Sequence, residues 1–360
     1  MANQMGRFYR TSTFGESHGY AVGALIDGVP GNVEINLKRI QNWLERRRPG
    51  QSPLTSPRQE KDRLIALSGL QNGRTLGSPL CFAIFNEDHK PSDYAHLQAV
   101  YRPSHADWSW EKKFGIKPQS GGGRSSARET IGRVISGAVA EQILESFGLS
   151  ISVVAWVDTI QNVKADVTGS PTRSEVDQTP VRCPDPKAAE AFEALITEVK
   201  QRGDSVGGTI KCQISGVPAG LGEPVFAKLE AELAKAMLSL PASKSFEIGE
   251  GLGATLMLGS EHNDSFVLKD GQISPETNRH GGVQGGISTG LAISFRVGFK
   301  PVATLGKEVE TLDQQGQRVT IKAGGRHDPC VLPRAVPIVE AMAYLVLLDF
   351  YLAQKAREIV

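Results

Sequence analysis

The run "AMAYLVLLDFYLA", residues 341–353, is the longest apolar stretch of this 360-residue chain, and only Asp349 interrupts it. A helix that is apolar all round has to be enclosed by other elements. The run falls short of the ~18 consecutive apolar residues of a membrane span, so it reads as a buried helix, placed at about 334–357. Apolar residues recurring every three or four positions predict four more helices. One covers 37–48, with Leu37, Ile40 and Leu44 on one face behind an Asn36 N-cap. Another covers 126–147, opened by Ser126 to Glu129 in the form of a capping box and closed by Gly148. The remaining two cover 187–202 and 226–239. Strands are expected in "YAVGALIDGV", "LCFAIF", "ISVVAWV", "GTIKCQISGV", "SFVL", "TGLAISFRVGF" and "QRVTI", each bounded by Gly, Pro, Asn or Asp. The interleaving predicts a mixed α+β fold.

Two segments echo each other. Both "ALIDGVPGNVEINLKRIQNWLERR" and "CQISGVPAGLGEPVFAKLEAELAKAM" read strand, Gly-Val-Pro turn, loop, helix. They suggest two related halves around one core, with chance likeness of two strand-turn-helix units as the alternative. Residues 160–186 are polar and rich in proline, and are expected to form an exposed excursion from a single domain spanning 1–360.

Charge narrows the function classes. Lys and Arg total 40 against 39 Asp and Glu, a formal net charge of +1, so no global field draws the chain to nucleic acid or an acidic membrane. Affinity for anions must come from local clusters. Cys81, Cys183, Cys212 and Cys330 form no CxxC pair and read as reduced thiols of a cytoplasmic protein. The start, "MANQMGRFYR", lacks the apolar core of a secretory signal.

Such clusters are present. "RRRPGQS", residues 46–52, carries more cations than a helix C-terminus needs, and guanidinium forks match phosphate and carboxylate. In "GGGRSSARET", 121–130, three glycines precede a helix N-terminus, which suits anion binding but is neither a Walker loop nor a dinucleotide fingerprint. "YRPSHADWSWEKKFG", 101–115, puts Arg102, His105 and Asp107 within six positions. His89 and His96 lie upstream, but the spacings fit no metal-ligand pattern. "NRHGGVQGGISTG", 278–290, is a second glycine-rich loop, and "GGRHDPCVLPRAVP", 324–337, gathers Arg326, His327, Asp328 and Arg334. Near the start, "FGESHG", 14–19, sets Ser17 beside His18. On an extended backbone these two would face opposite sides, with Gly15 and Gly19 letting the chain approach a ligand. No GxSxG elbow or HExxH helix is present. Together the clusters suit a small polyanionic substrate and a phosphate-bearing cofactor.

Taken in order, "TFGESHG", "IDGVPG", "RRRPGQS", "RPSHAD", "GGGRSSARET", "SGVPAGLGEPVF", "HGGVQGGISTG" and "GRHDPCVLPRAVPIVEAM" resemble the chorismate synthase family along nearly the whole chain. The resemblance implies trans-1,4-elimination of phosphate from 5-enolpyruvylshikimate 3-phosphate, giving chorismate. It also implies reduced FMN without net redox change, a β-α-β sandwich, and a homotetramer. His18 matches a proton donor near the substrate phosphate, and His105 a histidine beside the flavin. Asp328 matches an aspartate that works with the flavin in removing a ring proton, and Ser17 and Ser126 match supporting serines. Arg47, Arg102, Arg128 and Arg326 match substrate-binding arginines. For FMN the matching positions are Arg124, Ser125, Ser126, Pro241, Ala242, Gly285, Lys300, Pro301, Val302, Ala303, Thr304 and Arg326. Reduced flavin is expected from an external reductase or NADPH.

The chain departs from the family pattern at Pro53, at Ser243-Lys244-Ser245 and at Val302-Ala303, which puts ligand affinity rather than the reaction in question. Two rival readings are a catalytically silent relative that binds flavin or an anionic metabolite as a sensor and a protein with its own NAD(P)H:flavin reductase activity.

Overall fold

The computed structural model describes residues 3–357 except 53, 56, 57, 59, 89–96, 119 and 323–327. Pro53, His89, His96, Arg326 and His327 therefore lie outside the described residues. Two five-stranded antiparallel sheets enclose a layer of helices. The first runs in the order Gln4–Met5, Arg10–Gly15, Ala21–Asp27, Leu80–Phe85, Ile65–Ser68. The second runs Ser243–Ile248, Ile293–Phe299, Gly208–Ser215, Ser152–Ile160, Val163–Lys164. The two echoing segments supply the central strand of each sheet, Ala21–Asp27 and Gly208–Ser215, and the helices Leu37–Arg47 and Leu229–Leu238.

Between the sheets lie the helices Thr130–Ser146 and Leu332–Lys355. The first packs on the strands Arg10–Gly15 and Ala21–Asp27, the second on Ser152–Ile160 and Gly208–Ser215, and the two pack on each other. At their crossing a Cβ on Gly137 would lie 2.5 Å from the Cα of Ala341, so glycine is what allows the backbones to approach so closely. One contiguous apolar cluster runs through both sheets and this layer, including Val22, Ile26, Phe82, Ile135, Val153, Ile210, Val297, Val339 and Leu347. Each such enclosed aliphatic or aromatic side chain contributes about 1.5–3 kcal/mol.

The last helix is long and apolar enough by composition to cross a membrane, contrary to the shorter apolar window read from the sequence, and 89% of its most apolar window is buried inside the protein. Its Asp349 is not a break in the pattern. Asp349 Oδ1 accepts the backbone N–H groups of Arg7, Phe8 and Tyr9 at 2.8, 2.7 and 2.9 Å, tying the first strands to the end of the chain.

The helix expectations hold with shifted ends. Asn36 caps Leu37–Arg47 through the amides of Lys38 and Arg39, although Leu37 is exposed and Trp43 completes the buried face. The helix expected at 226–239 begins only at Leu229. Ser126 caps a 3-10 turn, Ala127–Glu129, that leads into Thr130–Ser146. The capping box does not close, because Glu129 turns instead to Thr13 and Arg133. Not anticipated were the helix Asp107–Phe114 and the strands Arg10–Gly15, Ile65–Ser68 and Ser243–Ile248.

Residues 160–186 are exposed at most positions, but this excursion is pinned. Val176, Val181 and Cys183 are fully buried, and Arg173 and Asp177 join an ion network centred on Glu340 of the last helix. Fully buried Glu340 accepts from Arg46 Nη1 at 2.5 Å and from the amide of Ala155 at 3.0 Å, and lies 3.5 Å from Arg173 Nε. Arg46 Nε also donates to Asp177 at 2.6 Å. Removing one partner of a buried ion cluster leaves the others uncompensated. Glu340→Gln is expected to lower the free energy of unfolding by about 3–5 kcal/mol, measured by urea titration followed by circular dichroism; a loss within experimental error would show that Glu340 is dispensable.

Candidate active site

Gly121, Gly122 and Gly123 have φ values of +76°, +93° and +51°, which L side chains rarely adopt. This left-handed run lays bare backbone against two imidazoles. A Cβ on Gly121 would lie 2.6 Å from His18 Nε2 and 3.1 Å from Ser17 Oγ, and one on Gly122 would lie 3.1 Å from His105 Nε2. The two histidines, 87 positions apart in sequence, thus meet consecutive residues of one loop. Ser17 and His18 sit in a turn rather than on extended backbone, and both face Gly121, which corrects the expectation that they diverge. Gly15 owes its place to a close approach by the carbonyl of Ala21, not to a ligand, and Gly19 has no positive φ. Asn86 Nδ2 holds the turn through the carbonyls of Glu16 and Gly19, at 3.1 and 2.7 Å, and Arg58 Nη2 grips the carbonyl of Ser17 at 3.0 Å.

These groups line a cleft of about 480 Å³, with Ser17, His18, Arg102, His105, Arg124, Ser125, Ser126, Arg128, Pro241, Ala242, Lys300, Val302, Ala303, Thr304 and Asp328 on its walls. That is nearly the whole set expected from the sequence, and its size suits a small ligand. Ser17 Oγ is buried with no hydrogen-bond partner among the described residues, a donor held ready for something in the cleft.

The arginines are less free than their sequence suggests. Arg102 forks onto Asp107, Nε to Oδ2 and Nη2 to Oδ1, both at 2.7 Å. Arg128 donates to Asn86 Oδ1 and Asp62 Oδ1, each at 2.7 Å, and lies 3.5 Å from Glu60. Arg47 does not line the cleft. It is buried behind the wall, donating to Thr130 Oγ1 at 3.1 Å and to the carbonyl of Ala127. Burial, then the neighbouring Arg334 guanidinium, pushes Arg47 well below its ordinary pKa despite Asp62 nearby. Arg334 pairs with Asp328, the last-helix residue meeting the loop residue beside the cleft.

Arg124, which also lines the cleft, donates to the carbonyls of Gly15 and Thr13 at 2.9 and 3.0 Å. Lys300 Nζ donates to the carbonyl of Ser104 at 3.0 Å, and burial followed by the nearby Lys244 lowers its pKa. Pro301 is not among the lining residues, and Gly285 is not brought here at all. It follows Val283–Gln284 beside Glu230, Arg279 and His280, in a separate depression. Arg334, singled out in the sequence with Asp328, and Arg58, the candidate substitute for the contact missing at Pro53, also line the cleft, and the structure adds Ser104, Arg133 and Ser239. Arg133 was legible as the i+4 partner of Glu129 on the helix that leaves the glycine loop, at 3.0 Å. Ser239, which accepts from Arg133 at 2.6 Å, carried no signal beyond its nearness to Pro241. Among the described residues no group of three His, Cys, Asp or Glu could hold a metal ion.

The family model described as chorismate synthase matches residues 9–352. A chorismate synthase of Opitutus terrae is 53% identical over 358 residues, 99% of this chain and 98% of that one. One from Prochlorococcus marinus (strain MIT 9515) is 51% identical over 360 residues, 99% of each. A crystal structure of chorismate synthase superposes with a TM-score of 0.75 at 28% identity, covering 97% of this chain and 93% of that one. With the cleft's paired histidines and arginines, these matches make the chain a phosphate-eliminating lyase. It belongs to the chorismate synthase family, whose reaction converts 5-enolpyruvylshikimate 3-phosphate to chorismate.

Gly121→Ala is expected to cut turnover at least ~100-fold, the lower range for a displaced proton-transfer group. Gly148→Ala serves as the comparison, because Gly148 has φ +79° but nothing within 4 Å of its Cβ position. Equal activity losses in the two variants would mean that backbone strain, not contact with His18, is what matters at Gly121.

Proposed function

We propose that this cleft binds 5-enolpyruvylshikimate 3-phosphate together with reduced FMN, and that His18, His105 and Asp328 carry the proton transfers of the elimination. The observation that carries the reading is the convergence of His18 and His105 on Gly121 and Gly122 in a cleft that Asp328 also lines. The donor set suits a flavin. Arg124, Ser125, Ser126, Lys300 and Thr304 offer cationic and hydroxyl donors for a phosphate, and Pro241, Ala242, Val302 and Ala303 offer apolar surface for a ring. The buried, unpartnered Ser17 Oγ is a further donor awaiting an acceptor. When bound, the reduced flavin would supply electron density that helps phosphate leave.

The chain's own groups would do the rest. The substrate carries one phosphate and two carboxylates, and Arg58, Arg102, Arg128 and Arg334 face them from the cleft walls. His18 Nε2, against the bare backbone of Gly121, would give a proton to the departing phosphate. Asp328, paired with Arg334, would accept or relay the proton leaving the ring. Arg47, held behind the wall, would act by fixing the carbonyl of Ala127 and the helix start at Thr130. Val302 and Ala303 line the cleft without the hydroxyls usual there, so backbone groups and Thr304 would take over that contact.

Residues 1–360 are read as one domain of a cytoplasmic homotetramer. Assembly is supported by exposed apolar surface: Phe14, Leu25, Leu67 and Phe85 on the outer side of the first sheet, and Leu252, Leu256, Leu258, Phe266, Leu268 and Ile273 beyond the second. A reducing compartment is supported by four free cysteines, with burial pushing the Cys330 thiol up to about 12.

Anaerobic assay with chemically reduced FMN should yield chorismate, and no product at any flavin concentration would sink the reading. His105→Ala and Asp328→Asn should each lower turnover by at least ~100-fold. Reduced flavin is taken to come from outside, so oxidation of NADPH by the purified protein would contradict that part.

A further inference from the structure

We propose that Asp107 is a positioning residue that confines proton exchange at His105 to Nε2, the ring nitrogen that meets the glycine loop. His105 Nδ1 and Asp107 Oδ1 are 2.8 Å apart. Asp107 is almost wholly buried, at 1% exposure, and opens the helix Asp107–Phe114, where a carboxylate is favoured by the helix dipole. Both of its oxygens are fixed: Arg102 Nε and Nη2 reach them at 2.7 Å each, and the Arg102 amide approaches Oδ2 at 3.3 Å.

An ionised carboxylate can only accept hydrogen bonds. Burial alone would raise the Asp107 pKa, but the hydrogen bonds from Arg102 and His105 outweigh it and hold the carboxyl far below the ordinary range. Asp107 therefore stays ionised at neutral pH, and the nitrogen facing it must carry a hydrogen. A neutral imidazole is otherwise free to place its one N–H on either nitrogen. Here Nδ1 holds it in the neutral ring and in the cation alike, which leaves Nε2 with the lone pair.

Nε2 lies 3.1 Å from the point where a Cβ on Gly122 would sit. A proton accepted at His105 forms its new bond to the Nε2 lone pair as the donor's bond breaks, and it returns by the reverse path. The resulting positive ring stays against the negative Asp107. The other charged groups nearby are Lys117, which interacts with Asp107, Arg102 and Glu111, and Lys300, which is anchored on the carbonyl of Ser104. Arg102, besides facing the cleft, sets the carboxylate's orientation through its fork onto Asp107.

The inference rests on His105 exchanging protons in the proposed reaction, but its principal readout does not need turnover. Full-length protein labelled with 15N-histidine is examined by nitrogen NMR at neutral pH, with His105 assigned by the signals lost in His105→Gln. The expected spectrum has a protonated Nδ1 and a lone-pair Nε2. Asp107→Asn, whose amide can donate, should convert His105 to the opposite tautomer, lowering kcat by about 100-fold or more while KM changes less than ~3-fold. Arg102→Gln should keep the wild-type tautomer. A wild-type His105 protonated at Nε2, or an Asp107→Asn variant with an unchanged tautomer, overturns the proposal. If Asp107→Asn does not fold, the wild-type and Arg102→Gln spectra decide it. Absence of chorismate formation with the expected tautomer would instead count against the proposed function alone.

Discussion

A carboxylate buried in the middle of a helical layer organises this molecule. Glu340 sits fully enclosed on the last helix, where an isolated charge would cost several kcal/mol. Two guanidinium groups and a backbone amide offset that cost, and each comes from a different part of the chain: Arg46 from the first helix, Arg173 from the pinned excursion, Ala155 from the second sheet. Because none of the partners can leave without stranding charge in the core, the network fixes where the first helix ends. Arg47 follows immediately and reaches the helix start behind the cleft. The site's wall is therefore held in place by ionic contacts that face away from it.

The cleft itself is built on compensation. Arg102 is balanced by Asp107, Arg128 by Asp62 and Glu60, Arg334 by Asp328, and Arg58 by Glu60. A row of unbalanced guanidinium groups would repel one another in a low-dielectric cavity. Each acid instead fixes its arginine's fork in one orientation, so that less side-chain freedom is lost when an anion enters. Arg47 is the arginine least compensated at this wall: burial first, then the charges of Arg334 and Arg128, lower its pKa despite Asp62 and Asp328.

How much of this was legible depended on whether the signal was local. Helices with a buried stripe, such as Leu37–Arg47 behind its Asn36 cap and Pro186–Gln201, follow from spacing, while the Asp185 cap of the latter emerges only in the structure. The strand Arg10–Gly15 was missed because its residues alternate weakly, with only Thr11 buried. Ser243–Ile248 was missed because it is an edge strand of largely polar character. Within the site, residue types pointed correctly to anion chemistry and to the glycine loop. What could not be read was a long-range pairing such as that of Arg128 with Asp62, 66 positions apart, whereas Arg102 with Asp107 and Arg334 with Asp328 are close in sequence. Nor could the reason for three glycines in a row, which is the approach of two imidazoles from distant segments.

The contact between Asp349 and the amides of Arg7, Phe8 and Tyr9 joins positions some 340 apart. The helix that carries it also forms half of the layer on which both sheets close. A chain emerging from the ribosome amino end first can form the strands of the first sheet early. The helix Thr130–Ser146 can then cover their inner face, but the other side of that helix, the inner face of the second sheet and the leading edge at Arg7 to Tyr9 lack their partner until the last helix has been made. Completion of the core is thus deferred until the last helix is made, and until then the nascent chain exposes the apolar faces that helix will cover.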